Sequence, residues 1–414
     1  MSYFNQVSIN FADSASTDAF TRLRVSEPQG LFDNQFTYNL SPLVFEPITT
    51  GSGAAITFDS TNRTAQIAFS STPTGGRAIM QSYEYVPYQP GRSQAAFITF
   101  NMNGGVANTV KFAGLSDGTN GVEFQMNGTT PQFEIYSGTN NGNEIITQAN
   151  WNLDKMNGTG PSGITLDASK TQILVLDLQA LYVGRVRVGF DINGLVYYAH
   201  QFVHANGVTT PYIQSANLPV RVGMTSSGTV TTSMNFICSS VVSEGGSAEV
   251  RGRGFTTEGT GTAGNGTRVH ILSVRPKTTF SSLVNRIKYE LDNVNIVVTG
   301  QNAILWELCL GQAITGTTTY TDVNTTYSAF EFNTAGTISG SPTIVIASGY
   351  CGGTGAANGA QSISVKDIRY ISSKYPITLD AAGVVRSLGT LSVIVTGIGA
   401  TSACRCSLNW REIR

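Results

Sequence analysis

Apolar and polar residues alternate along most of this chain with a period of two, and the alternation breaks at Gly, Asn, Asp and Ser. Val186, Val188, Phe190 and Ile192 alternate with Arg185, Arg187, Gly189 and Asp191. Asn193-Gly194 then supplies the two positive-φ positions of a type I′ turn, and Leu195 to Phe202 returns. This predicts a hairpin over 185–202 that pairs Phe190 with Tyr197 and Arg187 with His200. Val122 to Met126 alternates and stops at Asn127-Gly128. Ile173 to Leu178 is a continuous apolar run, as in a strand covered on both faces, and its Asp177 is expected to pair with Arg185 or Arg187. Further strands are predicted at Ala95 to Phe100, Arg286 to Leu291, Ala303 to Leu308, Thr343 to Ala347, Leu391 to Val395 and, as a closing strand, Ser407 to Arg414.

The pattern divides the chain. Residues 1–34 show neither a helical nor a strand period and read as an arm. Residues 35–242 read as strand, turn, strand, and residues 268–414 repeat that texture. Between them, residues 243–267 are rich in Gly, Ser and Thr, offer little to bury, and read as a flexible linker. The predicted fold is therefore all-β: two antiparallel β-sandwich, jelly-roll-like domains joined by a Gly-rich linker, with an N-terminal arm.

Composition supports strands over helices. Only 12% of the 414 residues are charged while 45 are Gly, too little charge for the solvent faces of amphipathic helices. A formal net charge of −1 argues against a nucleic-acid partner, which would demand a basic surplus. The five cysteines are scattered and suggest neither a disulfide framework nor a zinc site. Apolar runs stay short of a membrane span, no cofactor is implied, and the first residues do not read as a signal peptide, so synthesis in the cytoplasm is expected.

Candidate chemistry is sparse. His200, His204 and His270 read as surface or cross-strand residues rather than metal ligands. Gly259 to Gly264 matches G-x-G-x-x-G but lacks the flanking strand and helix of a dinucleotide site. Asp154, Asp167, Asp177, Asp191 and Glu134 share one β region, yet spacing alone does not pair any two for glycoside hydrolysis. No catalytic residue is assigned and the chain is read as not an enzyme. Tyr83, Tyr85, Tyr88 and Tyr198 are candidates for an aromatic platform contacting a host surface glycan.

Three stretches carry a resemblance. Asp18-Ala19-Phe20-Thr21-Arg22-Leu23-Arg24-Val25-Ser26-Glu27-Pro28 with Leu31-Phe32-Asp33, then Trp151 to Gly163 continuing into Val183 to Phe190, and the terminal Leu408 to Arg414 resemble structural proteins of tailed-bacteriophage particles. Thr21 stands where such proteins commonly carry Gly. Members of that family are described as tail, fibre or generic virion components. The resemblance implies a virion protein in a tail, baseplate, fibre or capsid-decoration role, homo-oligomeric with a trimer favoured, in contact with other virion proteins. The arm would dock it through Phe20, Arg22, Leu23, Arg24, Val25, Leu31 and Phe32, the apolar side chains lying on a partner and the arginines forking onto carboxylates. The alternative reading is a host-glycan adhesin or receptor-binding protein, and less so a depolymerase.

Overall fold

The alternating runs become strands because each can put one row of side chains into a core while Gly and Asn close the turns. The structure, a computed structural model, describes residues 15–25, 27–179, 181–245, 252–354, 361–365 (backbone only) and 375–414. Among these the single helical piece is a 3-10 turn, Gln148–Asn150. The chain is all-β and antiparallel, and forms two compact units, residues 1–82 with 86–248, and 83–85 with 249–414.

The first unit has two sheets. One runs Leu195–Phe202, Val186–Ile192, Thr171–Leu178, Ser93–Asn101, Val230–Glu244, Thr64–Thr72, Ala54–Asp59. Gln29–Gln35 pairs with the second half of Val230–Glu244. The other runs Glu144–Thr147, Thr130–Tyr136, Gly121–Asn127, Thr109–Ser116, Val220–Ser226, Arg77–Ser82, Phe45–Thr50. Their facing sides share one core that includes Phe100, Phe124, Phe133 and Phe190, with Phe124 and Phe190 edge to face at 5.1 Å.

The predicted hairpin turns at Asn193 and Gly194, with φ of 57° and 80°. Phe190 pairs with Tyr197 as expected, but Arg187 pairs with Gln201 and not with His200. A bulge at Ala199 takes up the one-residue difference. Asp177 pairs with Arg187, as the sequence suggests.

The second unit holds a four-stranded sheet, Arg253–Ala263, Ser402–Ile413, Lys288–Val298, Gln361–Val365. Its six-stranded sheet runs Thr321–Asp322, Phe330–Asn333, Arg268–Pro276, Leu391–Gly397, Ile304–Leu310, Ile344–Cys351. Trp410, Tyr289 and Phe330 meet in the core. The buried Glu412 carboxylate accepts from Ser328 Oγ at 2.6 Å and from Ala329 N at 2.9 Å, fixing the closing strand.

Two expectations are corrected here. The supposed linker contains an eleven-residue strand, Arg253–Ala263, paired along its length with Ser402–Ile413. Its inward positions are Phe255, Thr257, Gly259, Gly261 and Ala263, so beyond Phe255 little hydrophobic signal marks it. Residues 246–251 of that stretch, Arg251 included, lie outside the described residues. The described part of the arm, residues 15–25 and 27–34, is in turn built into the first unit. Phe32 joins the core and Leu31 packs against it, because Gln29–Gln35 completes a sheet edge.

Candidate functional site

Two networks in the first unit bring buried charged residues together. One lies where Thr17 to Arg24 crosses the outer face of the eight-stranded sheet. Asp177, wholly buried there, accepts from Ser93 Oγ at 2.8 Å, Tyr198 Oη at 2.8 Å, Arg24 Nη2 at 2.9 Å and Arg187 Nε at 3.2 Å. Arg187 also donates to the Thr17 carbonyl at 2.6 Å, Arg185 to the Ala19 carbonyl at 3.0 Å, and Arg24 Nε to Glu244 at 2.6 Å. Such a network is structural: buried charges must be paired, and here they are paired among themselves.

This placement corrects the docking assignment for Arg24, Leu31 and Phe32, whose side chains are spent within the unit. Phe20 is half-buried under the Arg22 guanidinium, 4.7 Å from its ring, and Arg22 pairs with Asp18 at 2.7 Å. Leu23 and Val25 point outward, 44% and 85% exposed.

The second gathering lies on the face of the seven-stranded sheet turned away from the core. Period-two alternation sends Val122, Phe124, Met126, Phe133 and Ile135 inward, so Glu123, Gln125, Gln132, Glu134 and Tyr136 share the other face. The register sets Arg221 opposite Gly114, Gly114 opposite Glu123, and Glu123 opposite Glu134, one row across four strands. Gly114 has no side chain, and across that gap Arg221 Nη1 reaches Glu123 Oε1 at 3.1 Å while its guanidinium lies 4.7 Å from the Phe112 ring. A Cβ on Gly114 would fall 2.1 Å from the Val122 carbonyl oxygen.

Amides knit the row together. Gln125 Nε2 donates to Glu123 Oε2 at 3.1 Å and to Tyr136 Oη at 2.9 Å, and Gln132 Nε2 donates to Gln125 Oε1 at 2.8 Å. Asn143 Nδ2 donates to Glu134 Oε1 at 2.9 Å.

The two carboxyls differ in kind. Glu123 takes a guanidinium, whereas Glu134 takes a neutral amide donor. Burial, and to a smaller degree the Glu123 charge, pushes the Glu134 carboxyl above the ordinary range against its hydrogen bonds. Burial and the same carboxylates push the Tyr136 phenol up as well. A carboxyl pushed up by burial thus faces one bound to a cation, beside amides that bond the neighbouring carboxyl and phenol. Glu123, Gln125, Gln132 and Glu134 are themselves buried, and the row meets solvent through Tyr136, Asn143 and the part-exposed Arg221.

The other sequence candidates lie elsewhere. Asp154 Oδ1 accepts from Met156 N, Asp167 from Ser169 N, and Asp191 from Gly194 N, each organising its own turn. Tyr85, Tyr88 and Tyr198 are buried, so these tyrosines do not make an exposed platform. Tyr83 is half-buried beneath Arg386, and Tyr85 lies 4.5 Å from the Arg286 guanidinium. All three histidines are buried, not superficial. Of this second gathering, only Glu134 stood out in the sequence.

No family model matches the chain, and no curated protein matches it. Solved structures do match in part. A carbohydrate esterase of the Shiga toxin-encoding bacteriophage phi24B is 11% identical, with a TM-score of 0.35 over 53% of this chain and 100% of that one. The Bacillus licheniformis β-glucanase is 13% identical, with a TM-score of 0.31 over 52% of this chain and 98% of that one. The binding domain of botulinum neurotoxin DC, solved with rat synaptotagmin II, is 12% identical, with a TM-score of 0.30 over 48% of this chain and 43% of that one. These are likenesses of fold. The expectation that the chain is not an enzyme is withdrawn, since the matching structures include a carbohydrate esterase and a β-glucanase; with TM-scores below 0.5 they assign this chain no activity.

Proposed function

We propose that this chain is a surface component of a tailed-phage particle that binds carbohydrate on the polar face of its seven-stranded sheet. The observation that carries the carbohydrate reading is the row Arg221, Gly114, Glu123, Glu134 with its Gln125, Gln132, Tyr136 and Asn143 partners. Buried amides and carboxyls on an outward sheet face cost stability that an apolar face would not, and sites are where chains tolerate such a cost. The resemblance of Asp18 to Asp33, Trp151 to Gly163 and Leu408 to Arg414 supports the particle. Leu23 and Val25, the exposed apolar residues of the N-terminal segment, supply its contact with other virion proteins, and self-association as a trimer belongs to the same proposal.

The test is a glycan array with the purified chain, repeated with Gln125→Ala and Asn143→Ala, alongside antibody labelling of assembled particles. Glycan retention lost in both variants, with label on the particle, supports the proposal. Retention of no glycan removes the carbohydrate half, and unlabelled particles remove the virion half.

A second reading follows from the asymmetry of Glu123 and Glu134, in which Glu134 gives a proton to a glycosidic oxygen. Reducing ends released from a retained glycan, and lost in Glu134→Gln, support it. Retention without release refutes it.

A further inference from the structure

The second unit carries a cavity of about 520 Å³ between the hairpin of Thr279–Phe280 with Leu283–Val284 and the end of Arg268–Pro276. That volume is in the range of small-ligand sites. The geometry points to a binding site for a neutral oligosaccharide in this cavity.

Charge selects the class of ligand. The wall carries Arg275 and Lys277 against Glu331 and Asp322, two positive and two negative groups, so it has no net charge with which to hold an ion. Arg275 Nε donates to Glu331 Oε1 at 2.6 Å, and Lys277 Nζ lies 3.0 Å from Asp322 Oδ1. Paired charges of this kind retain hydrogen-bonding capacity. Among the described residues Arg275 makes no hydrogen bond through either Nη, and its guanidinium is held flat, 3.7 Å from the Tyr320 ring. Tyr320 is itself fixed by a 3.0 Å bond with Ser273 Oγ. Glu331 and Asp322 each keep a second carboxylate oxygen to accept with, and Thr278, Thr279 and Thr325 bring hydroxyls to the wall. Donors next to acceptors suit a polyol, whose every hydroxyl both gives and takes. Phe280 adds an apolar ring against which the carbon face of a sugar can lie.

The hairpin makes the second observation. Its turn residues Ser281 and Ser282 have φ of 50° and 66°, left-handed backbone that Asn-Gly adopts at little cost at 193–194 in the same chain. Two serines there are strained, and the strain keeps a Ser281 side chain on the cavity wall where Gly would offer none. The charged pairs, the free guanidinium edge and the strained turn converge on one open cavity.

This site is separate from the sheet face of the first unit, and either can fail alone. The full chain is screened on an array of neutral and acidic glycans, and the retained neutral oligosaccharides are titrated against backbone amide resonances. Shifts at Thr278 to Ser281 and at Thr325 are expected. Thr325→Trp, which fills the cavity from an exposed position, and Arg275→Gln, which removes donors, should each weaken binding tenfold or more. Gln125→Ala should leave these shifts unchanged. Retention of acidic glycans only, of none, or shifts confined to other residues would overturn the site, as would unchanged affinity in Thr325→Trp.

Discussion

Arg24 Nη2 lies 2.9 Å from Asp177 Oδ2, joining the N-terminal segment to a carboxylate 153 residues further along. Asp177 has no solvent exposure, so losing a cation beside it is costly even though Arg187 remains. Arg24→Ala should lower stability by about 3 kcal/mol, the low end for a buried pair because Arg24 is itself part-exposed. Arg22→Ala, at a half-exposed pair with Asp18, should cost less than about 1 kcal/mol. Urea titration of both variants checks the ordering, and equal small losses would return the segment to the role of a detachable arm.

Thr21 has a φ of 62°, within the turn in which Asp18 Oδ1 accepts from the amides of Phe20 and Arg22. A β-branched residue resists that conformation. Thr21→Gly should therefore stabilise the chain, by roughly 0.5–1 kcal/mol after the entropy of a freer unfolded chain is deducted. A melting temperature that falls would mean the Thr21 hydroxyl bond to the Phe20 carbonyl outweighs the strain.

Much of this fold could be read from the sequence because its strands announce themselves by alternation. Val186 to Ile192 falls where the pattern puts it, and the closing strand expected at Ser407 to Arg414 is found as Ser402–Ile413, starting five residues earlier. What alternation cannot supply is the covering of the second face. Arg187 looks like an outward residue beside Val186 and Val188, and is buried only because Thr17 to Arg24 returns over it. The candidate site hides for a similar reason. Glu134 is visible as a carboxylate, but its pairing with Glu123 depends on strand register, and Arg221 comes to Glu123 from 98 residues away.

The unlike surroundings of Glu123 and Glu134 predict unlike mutants. Glu123→Gln strands the Arg221 guanidinium, whose Nε already lacks a partner among the described residues, and should cost about 2 kcal/mol. Glu134→Gln replaces a carboxyl held by a neutral amide donor, with no cation left behind, and should change stability by less than about 1 kcal/mol. Chemical denaturation at neutral pH measures both, and matching losses would contradict the assigned asymmetry.

His200 and His270 are buried, which pushes each imidazole down to about 4 from 6.5. Between those values the unfolded chain binds more protons than the folded one, so stability rises with pH through that window. It is lost as pH falls from about 6.5 to 4, by up to roughly 3 kcal/mol for each ring. His270→Leu should flatten part of that slope, as followed by denaturant midpoints at several pH values. A slope unchanged by the substitution would show that His270 charges as easily folded as unfolded.

Gly259 sits inward on Arg253–Ala263, and a Cβ there would fall 2.3 Å from the Ile271 carbonyl oxygen and 3.1 Å from its carbonyl carbon. The obstacle is backbone, which cannot swing aside as a side-chain tip can. The strand is therefore held close to Arg268–Pro276 by the absence of side chains, the same absence that made this stretch look like a linker. Gly259→Val should force the strand away and cost more than about 2 kcal/mol, as overpacking at a tight contact does. Thr260→Val, on the exposed face one residue on, should be nearly neutral or slightly stabilising, since a β-branched residue suits a strand. Amide hydrogen exchange reads the same point without mutation. Protection over Thr256 to Ala263 comparable to that of Ser402–Ile413 is expected from their continuous pairing. Exchange there as fast as in an unstructured peptide would restore the flexible linker and remove the strand.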